Sequence, residues 1–423
     1  MERIRLLHVT TTQGYAGVLL KDGQHQFSYD PSIAVPSADQ ARAISLTMPV
    51  RAAPWRTTPM LPAFQTSLPE GFLSDRIRER FGKLFKMDDM AMLALSGGNA
   101  IGRLRVSTTR EASAAPPAAA ESLKEILADQ GSRDLFEYLC DKYLISTSIA
   151  GVQPKVVVPV EGNMGAAITT RGASAKASIG ERSTLRARQL IVKVDSGDYP
   201  HIAENEYHCL AIARRCADLI RVPPFSLSQD RRRLAVERFD LGADGYLGFE
   251  DMVSLQGKVN DGKYDGSYEL IAQTIQDNCS PLLLHDSLAR FFASVVLAVA
   301  VRNGDAHLKN FGLLYTSPVT DDCELSPLFD QVCTTLYLPK DIMALNLGRS
   351  RSWPVRAALV KFGAETCGVK KPAQIIDRIV DAILTYRPAM NGPGWKELRP
   401  ILHAAAASID RDKISPIRKQ PGA

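Results

Sequence analysis

The sequence lacks any C-x-x-C pair, and its seven cysteines are an odd number. That pattern argues against a disulfide framework and against a zinc site, and it fits a reducing compartment. A long hydrophobic run is also missing: the longest, Phe291 to Val301, has 11 residues including Ser294, whereas spanning a bilayer takes about 20. We expect this run to be a buried helix. Because the N-terminus has no apolar core of signal-peptide length, the sequence predicts a cytoplasmic protein without a membrane partner.

Charge of one sign is scarce as well. Lys and Arg total 51 against 46 Asp and Glu, so the net charge is +5 over 423 residues. This small excess excludes a dedicated polycationic binder, and it permits an acidic partner without demanding one. Hydrophobic residues make up 45% of the chain, which is enough to bury a sizeable core and excludes disorder of the chain as a whole.

Changes of pattern along the chain predict its parts. The start alternates polar and apolar residues around a hairpin turn at Asp22-Gly23, and a helical stretch follows from about Pro69. Small residues and proline dominate 111–121, which is the composition of a linker. The predicted parts are a β-rich N-terminal subdomain at 1–107, a linker at 108–122, a second region at 123–245 and a mainly helical region at 246–423.

The second region contains a basic insert at 161–189. This segment has almost no large apolar residue and carries five bases against two acids. We expect it to be a loop between two strands, VVVPV before it and LIVKV after it.

Three polar residues next to an apolar helix carry the strongest chemical signal. Asp305 and Asn310 are five residues apart in RNGDAHLKNFGLLY, the spacing of the protein-kinase catalytic loop, and Asp330 follows Asn310 by 20 residues. In phosphoryl transfer an acid accepts the proton of the attacking hydroxyl, while an amide oxygen and a second carboxylate hold magnesium. The alternative is structural, with Asp305 as a turn residue after a helix and Asn310 as a cap.

A lysine inside an apolar strand predicts a phosphate contact. In LIVKVD, Lys193 interrupts the strand as the lysine of a kinase V-A-I-K strand does, and Glu204 or Glu206 in the next helix can pair with it. Alternatively, Lys193 snorkels from an edge strand and the acids merely favour the helix N-terminus. We expect removal of Lys193 to weaken nucleotide binding and to change the stability of the nucleotide-free protein little.

Two further segments are candidates for the rest of a nucleotide site. Strand AVERFD falls where an adenine hinge belongs, so Glu237 and Phe239 are either adenine contacts or edge-strand packing residues. Segment SIAGVQPK (148–155) is a turn of small residues that enters the strand VVVPV. Such a turn either presents backbone N–H groups to phosphate oxygens or is a plain turn.

In order along the chain, these segments resemble the HipA-like serine/threonine kinases of bacterial toxin–antitoxin systems. The motifs are S-x-x-G-x-Q-x-K at Ser148 to Lys155, I-x-K at Lys193, N-E-Y at Asn205 to Tyr207, E-R-F-D at Glu237 to Asp240, E-D-M at Glu250 to Met252, K-Y at Lys263-Tyr264, G-D-A-H-x-K-N-F at Gly304 to Phe311 and S-P-L-F-D at Ser326 to Asp330. The first hundred residues resemble the family's N-terminal subdomain through ISLTMP, FQTSLPEG, SDRIRERFG and GNAIGRLRV. The long insert after Lys155, and Pro154 where the family often has glutamate, depart from the pattern.

The resemblance implies an α+β, two-lobed protein-kinase-like fold with a β-rich N-terminal subdomain, in which 123–245 is N-lobe-like and 246–423 is the C-lobe. It also implies ATP and Mg²⁺ as cofactors, with Asp305 as catalytic base and Asn310 and Asp330 as magnesium ligands. The residues it places at the nucleotide are Ser148, Gly151, Gln153, Lys155, Lys193, Glu237, Phe239 and His307, of which His307 shapes the loop rather than acting as an acid or base. Ser148 is further implied as an autophosphorylation site whose modification ejects the ATP loop.

The activity implied is that of a protein serine/threonine kinase acting as a toxin, which inhibits growth by phosphorylating a translation component. The implied substrate class is an aminoacyl-tRNA synthetase, and the implied partner is a helix-turn-helix antitoxin of the HipB type that tethers the kinase to operator DNA. Two alternatives stay open, a small-molecule kinase and a non-catalytic kinase-like co-repressor. The basic runs Arg231–Arg233 and Arg349–Arg351 are candidate DNA contacts or solvated faces.

Overall fold

The computed structural model describes residues 3–35, 39–83, 86–110, 120–128, 132–144, 153–161, 188–389 and 391–410. The chain forms two compact units. The first comprises Met1–Ile44, Val50–Tyr207 and Pro223–Leu247, and the second comprises Ser45–Pro49, His208–Val222 and Gly248–Ala423. The predicted linker and basic insert fall mostly outside the described residues.

The first unit begins with an antiparallel sheet of five strands in the order β4-β3-β2-β1-β5. The strands are β1 (Leu6–Thr11), β2 (Gly14–Asp22), β3 (Gln24–Tyr29), β4 (Trp55–Thr57) and β5 (Arg105–Ser107), and the accompanying helices are α1 (Pro62–Gln65), α2 (Gly71–Phe81) and α3 (Asp89–Ser96). Asp22 pairs with Gln24 across the β2–β3 turn. Gly23 lies between them at φ +72°, a conformation that glycine adopts without strain. The predicted Asp22-Gly23 hairpin is therefore confirmed.

A second sheet in this unit has the strand order β6-β7-β8-β10-β9. Its strands are β6 (Glu121–Ser122), β7 (Lys155–Glu161), β8 (Arg188–Val194), β9 (Phe225–Leu227) and β10 (Arg233–Glu237), and α4 (Leu123–Ala128) and α5 (Ser132–Tyr143) belong to the same unit. The two strands predicted on either side of the basic insert are β7 and β8, which pair antiparallel. Residues 162–187 of that insert lie outside the described residues.

The two faces of this second sheet differ because strand side chains alternate. Val156, Val158 and Val160 of β7, together with Leu190 and Val192 of β8, share one buried cluster with residues of α4 and α5. The intervening positions face the other way, and they include the first residue of β7 and the sixth of β8, both lysines. The hydrophobic pattern thus fixes which face carries these two lysines.

Helix α6 (Ile202–Arg214) follows β8, and the small hairpin of β11 (Leu241–Gly242) and β12 (Gly245–Tyr246) completes the first unit. The second unit has a three-stranded antiparallel sheet in the order β13-β14-β15 and is otherwise mainly helical. Its elements are β13 (Gly248–Asp251), α7 (Met252–Leu255), α8 (Tyr268–Asn278), α9 (Pro281–Ala300), β14 (Gly312–Tyr315), β15 (Glu324–Leu325), α10 (Arg356–Lys361), α11 (Pro372–Leu384) and α12 (Pro393–Ser408). The predicted α+β class, with a β-rich N-terminal part, is confirmed.

The core of the second unit is built around α9. Every residue from Phe291 to Val301 is buried, as the sequence predicts. The ring of Phe291 lies 5.3 Å from that of Phe311 and 6.2 Å from that of Phe362. Within the described part of the chain, α9 alone is long and apolar enough to cross a membrane, but 67% of its most apolar window is buried inside the protein. We therefore assign it as a core helix.

Candidate active site

The candidate catalytic loop starts where α9 ends. Asn303 donates its backbone N–H to the carbonyl of Ala298 at 2.8 Å and Arg302 donates to Val299 at 3.2 Å, while Arg302 takes the left-handed conformation at φ 58°. This is the hydrogen-bond pattern of a Schellman motif, which ends a helix and turns the chain sharply. The helix therefore stops before Asp305, which lies in the loop that leads to β14.

Asn303 joins the backbones of the two predicted acids. Its Oδ1 accepts the N–H of Asp305 at 3.0 Å, and its Nδ2 donates to the carbonyl of Asp330 at 3.4 Å. Asn303 is only 2% exposed, so water does not compete for these bonds. One buried amide thus holds together two residues that are 25 positions apart in the sequence.

Glycine at position 304 is required by the neighbouring chain. A Cβ there would collide with the carboxylate of Asp341 and would lie 2.6 Å from the carbonyl oxygen of Ile342. Thr334 connects the same segments, because its hydroxyl accepts the N–H of Gly304 at 2.8 Å and donates to Asp341 at 2.5 Å. The segment after Asp330 therefore packs directly on the loop that carries Asp305.

The carboxylate of Asp305 is reachable and lies among other charged groups. Its side chain is 53% exposed, and its Oδ1 accepts a hydrogen bond from the hydroxyl of Tyr264 at 2.7 Å. Partial burial raises the pKa of Asp305, as do the carboxylates of Asp330 and Asp341, whereas the bond from Tyr264 and the charge of Lys263 lower it.

Asn310 and His307 give the loop its shape. The side-chain oxygen of Asn310 accepts the backbone N–H of His307 at 3.1 Å, and the backbone N–H of Asn310 donates to the carbonyl of His307 at 3.0 Å. Burial lowers the pKa of His307 to about 3, and the charge of Lys263 adds to this shift. His307 is therefore neutral near pH 7, which fits the predicted loop-shaping role better than a proton-transfer role. The structural alternative, in which Asn310 is a cap, also agrees with these hydrogen bonds.

Asp330 stands in an unusual backbone conformation. Its φ of 51° lies in the left-handed region, which costs a non-glycine residue of order 1 kcal/mol or more and often occurs at functional sites. The charge of its carboxylate contributes to the raised pKa of Asp305, and it opposes without reversing the burial that lowers the pKa of His307. The structure thus brings Asp305, His307, Asn310 and Asp330 into one cluster of the second unit.

The donor atoms in this cluster suit magnesium. Asn310 offers an amide oxygen and Asp330 a carboxylate, and Mg²⁺ favours such hard oxygen ligands, usually taking one or two from protein and the rest from phosphates and water. Among the described residues, no group of three or more His, Cys, Asp or Glu is arranged to hold a metal ion.

The predicted phosphate-binding lysine lies in the first unit. Lys193 Nζ is 2.6 Å from Glu206 Oε1, with the two side chains 5% and 1% exposed. Of the two acids that the sequence offered, the structure thus selects Glu206. The alternative of a snorkelling edge-strand lysine is wrong, because β8 lies between β7 and β10 and Lys193 is buried.

Lys155 stands directly opposite Lys193. The two residues are cross-strand partners in the β7–β8 pair, and each is 4% exposed. Side chains of directly opposed residues project from the same face, and like charges in such a pair repel. Two buried lysines therefore share one face of the sheet, and an ammonium group is a charge that can bind an anion.

The structure describes some of the remaining predicted nucleotide contacts, and others lie outside the described residues. Gln153 donates from Nε2 to the carbonyl of Val194 at 3.2 Å, which ties the entry of β7 to the end of β8. Glu237 ends β10 and lies 3.6 Å from Arg188, and Phe239 follows β10, half-buried. Edge-strand packing is excluded for Glu237, because β10 lies between β8 and β9. Ser148 and Gly151 lie outside the described residues.

The comparisons with protein families follow the same division of the chain. Residues 7–107 match the model described as "HipA N-terminal domain", and residues 147–386 match the model described as "HipA-like C-terminal domain". This chain belongs to the HipA-like family. The resemblance inferred from the motifs is therefore confirmed.

Relatives of this HipA-like chain include two proteins of Sinorhizobium fredii. "Putative kinase Y4dM" is 26% identical over 379 residues, which cover 85% of this chain and 83% of the relative. "Putative kinase Y4mE" is 25% identical over 368 residues, which cover 82% and 81% of the two chains. Both similarities extend over both HipA-like domains.

A solved structure shows the same fold. It is the HipA of Shewanella oneidensis MR-1, in a complex with HipB and its operator DNA, and it matches with a TM-score of 0.59 at 16% identity. The match covers 95% of this chain and 96% of the other. At that identity the likeness shows the fold alone, and the predicted HipA-type fold is confirmed.

Sequence reasoning missed several residues that organise this HipA-like chain. Arg238 and Asp240 of the E-R-F-D motif form a buried, two-pronged ion pair at 2.9 and 2.7 Å, and Asp240 also accepts the N–H of Gly102 at 2.6 Å. The motif therefore joins the N-terminal part of the first unit to its second sheet. The sequence signal that could have revealed this ion pair is the alternation of arginine and aspartate directly after a strand.

Sequence reasoning also missed that Glu250 organises part of the second unit. Its carboxylate accepts hydrogen bonds from the hydroxyl of Ser45 at 2.5 Å, the N–H of Leu46 at 2.8 Å and the hydroxyl of Tyr315 at 2.6 Å. Glu250 is thus a structural anchor for the segment 45–49. Within the run Arg231–Arg233, Arg233 departs from expectation because it is fully buried beside Asp230, whereas Arg232 is exposed.

Proposed function

We propose that this chain is an ATP-dependent protein serine/threonine kinase of the toxin type. The observation that carries the proposal is the cluster of Asp305, Asn310 and Asp330 at the end of α9, fixed through Asn303. It contains one reachable carboxylate and two hard oxygen ligands, which are the groups that phosphoryl transfer to a hydroxyl requires. Kinase names among the relatives support the same reaction class.

In this proposal each residue has a defined task. Asp305 orients the acceptor hydroxyl and takes its proton as the hydroxyl oxygen bonds to the γ-phosphorus of ATP and the bond from that phosphorus to the ADP leaving group breaks. Asn310 and Asp330 hold Mg²⁺, which when bound neutralises phosphate charge. Lys193 contributes a positive charge for the phosphates, with Lys155 opposite it. Glu206 keeps the Lys193 side chain in one direction, since a charge-assisted hydrogen bond at 2.6 Å restricts the ammonium group.

For the remaining contacts we retain the assignments implied by the family. Ser148, Gly151 and Gln153 belong to a loop that covers the nucleotide, and Glu237 and Phe239 lie at the adenine. Modification of Ser148 would place negative charge beside the ATP phosphates and switch the enzyme off.

We further propose that the partner is a helix-turn-helix antitoxin of the HipB type. The Shewanella oneidensis protein of the same fold is in a complex with HipB and operator DNA, which supports a protein partner and an indirect contact with DNA. The substrate would be a translation component in the cytoplasm, with an aminoacyl-tRNA synthetase as the class to test first. The match at 7–107 to the HipA N-terminal domain disfavours a small-molecule kinase.

The test is to incubate the purified full chain with labelled ATP, Mg²⁺ and a bacterial lysate and to identify the labelled proteins by mass spectrometry. We expect label on serine or threonine of a protein involved in translation, and label on the chain itself. Label confined to small molecules would favour the metabolite-kinase alternative. Absence of any transfer, with nucleotide binding intact, would favour the non-catalytic co-repressor.

A further inference from the structure

Tyr264 is held beside the candidate catalytic acid by contacts at three separate points. Its hydroxyl donates to Asp305 Oδ1 at 2.7 Å, and its ring packs edge-on against that of His307 at 5.2 Å. Its backbone carbonyl accepts a hydrogen bond from Arg351 Nη2 at 2.6 Å. Tyr264 is the last residue of a short 3-10 turn, Asn260–Tyr264, and it lies 41 positions before Asp305 in the sequence.

This arrangement gives the two carboxylate oxygens of Asp305 different partners. A carboxylate accepts hydrogen bonds at both oxygens, and the Tyr264 hydroxyl engages Oδ1. Oδ2 then remains for an acceptor hydroxyl. A bond between a neutral hydroxyl and a carboxylate is also strong enough to select one rotamer of a half-exposed side chain. Without it, Asp305 would sample several orientations in water.

We propose that Tyr264 is a positioning residue that fixes Asp305 through Oδ1 and thereby aims Oδ2 at the hydroxyl that receives the phosphoryl group. This inference rests on the proposed kinase function and deepens it. The contact with His307 links the tyrosine to the loop that Asn310 shapes, so a displaced Tyr264 would disturb the direction of Asp305 without removing its charge. The substrate must then bring its hydroxyl to the side of Asp305 that faces away from Tyr264.

The test compares Tyr264→Phe with a matched control, Tyr386→Phe. Both variants remove one tyrosine hydroxyl from the second unit, but the hydroxyl of Tyr386 contacts His208 Nδ1 at 3.0 Å and not the catalytic loop. Initial rates of label transfer from Mg·ATP into the chain itself would be measured. We expect kcat to fall about 10- to 100-fold in Tyr264→Phe, with KM for ATP unchanged, and neither constant to change in Tyr386→Phe.

A second measurement examines the contact without relying on activity. 3-Fluorotyrosine at position 264 gives one fluorine resonance, which should shift when Asp305→Asn is introduced and should not shift with Asp277→Asn, a change to an exposed acid on α8. Equal kcat in wild type and Tyr264→Phe, or a fluorine resonance indifferent to Asp305→Asn, would overturn the role of Tyr264. Absence of transfer by the wild type would instead overturn the kinase proposal on which the role rests.

Discussion

Lys193 and Glu206 form a buried ion pair, with 2.6 Å between Nζ and Oε1 and side-chain exposures of 5% and 1%. The pair joins the central strand β8 to the first turns of α6 within one unit. A lysine in this position has two consequences. It supplies charge to the face that also carries Lys155, and it balances a carboxylate that would otherwise be buried without its partner.

Lys193→Ala should therefore destabilise the nucleotide-free protein. Removing one partner of a buried ion pair typically costs about 3–5 kcal/mol. The expectation from the sequence, that stability would change little, is replaced by this one. Chemical unfolding without nucleotide measures the effect, and Lys193→Met combined with Glu206→Leu serves as the control, because it removes both charges and should recover most of the loss. A single variant as stable as the wild type would contradict the structural role.

Asn303→Ala should weaken the use of magnesium. The side chain holds the backbones of Asp305 and Asp330, so its loss frees the metal-binding acid to move relative to the loop. We expect the Mg²⁺ concentration for half-maximal transfer to rise and stability to fall by about 1–3 kcal/mol, since two buried hydrogen bonds are lost. The control is Asn278→Ala, which removes a side-chain bond to the carbonyl of Thr274 at 2.9 Å on α8. An unchanged magnesium titration would rule out the bridge as a functional element.

Autophosphorylation provides a prediction for the segment outside the described residues. With ATP and no antitoxin, the purified chain should modify itself at Ser148 and lose affinity for ATP, because a phosphate adds about −1.5 to −2 charge beside the nucleotide phosphates. Ser148→Ala should block the modification, and Ser148→Asp should mimic it only partly. Phosphosite mapping and nucleotide titration of both forms provide the measurement. Modification confined to Ser146 or Thr147, or equal affinity in both forms, would refute this mechanism.

The sequence predicted those parts of the fold that depend on local patterns. A hairpin at Asp22-Gly23 follows from the conformational freedom of glycine, and the pairing of β7 with β8 follows from two apolar strands joined by a polar insert. The buried helix at Phe291–Val301 follows from hydrophobicity alone. For the catalytic cluster, the spacing of Asp305 and Asn310 was informative because both residues lie on one short loop.

Contacts between segments that are distant along the chain could not be predicted from the sequence. Whether Glu204 or Glu206 meets Lys193 depends on the rotation of α6 against β8, which neither segment specifies by itself. The bond from Tyr264 to Asp305 and the bridge made by Asn303 depend in the same way on how loops pack. Arg238 and Asp240 had no predicted role beyond belonging to the E-R-F-D motif, and the structure shows that they form a buried ion pair within the first unit.

Asp305→Asn tests most directly whether Asp305 accepts the proton of the attacking hydroxyl. The measurement is the initial rate of label transfer from Mg·ATP, compared among wild type, Asp305→Asn and the surface control Asp277→Asn, together with ATP affinity. We predict that the transfer rate falls about 100-fold or more in Asp305→Asn, that ATP affinity is retained through Asn310 and Asp330, and that the control loses no activity. Undiminished transfer by Asp305→Asn would contradict it.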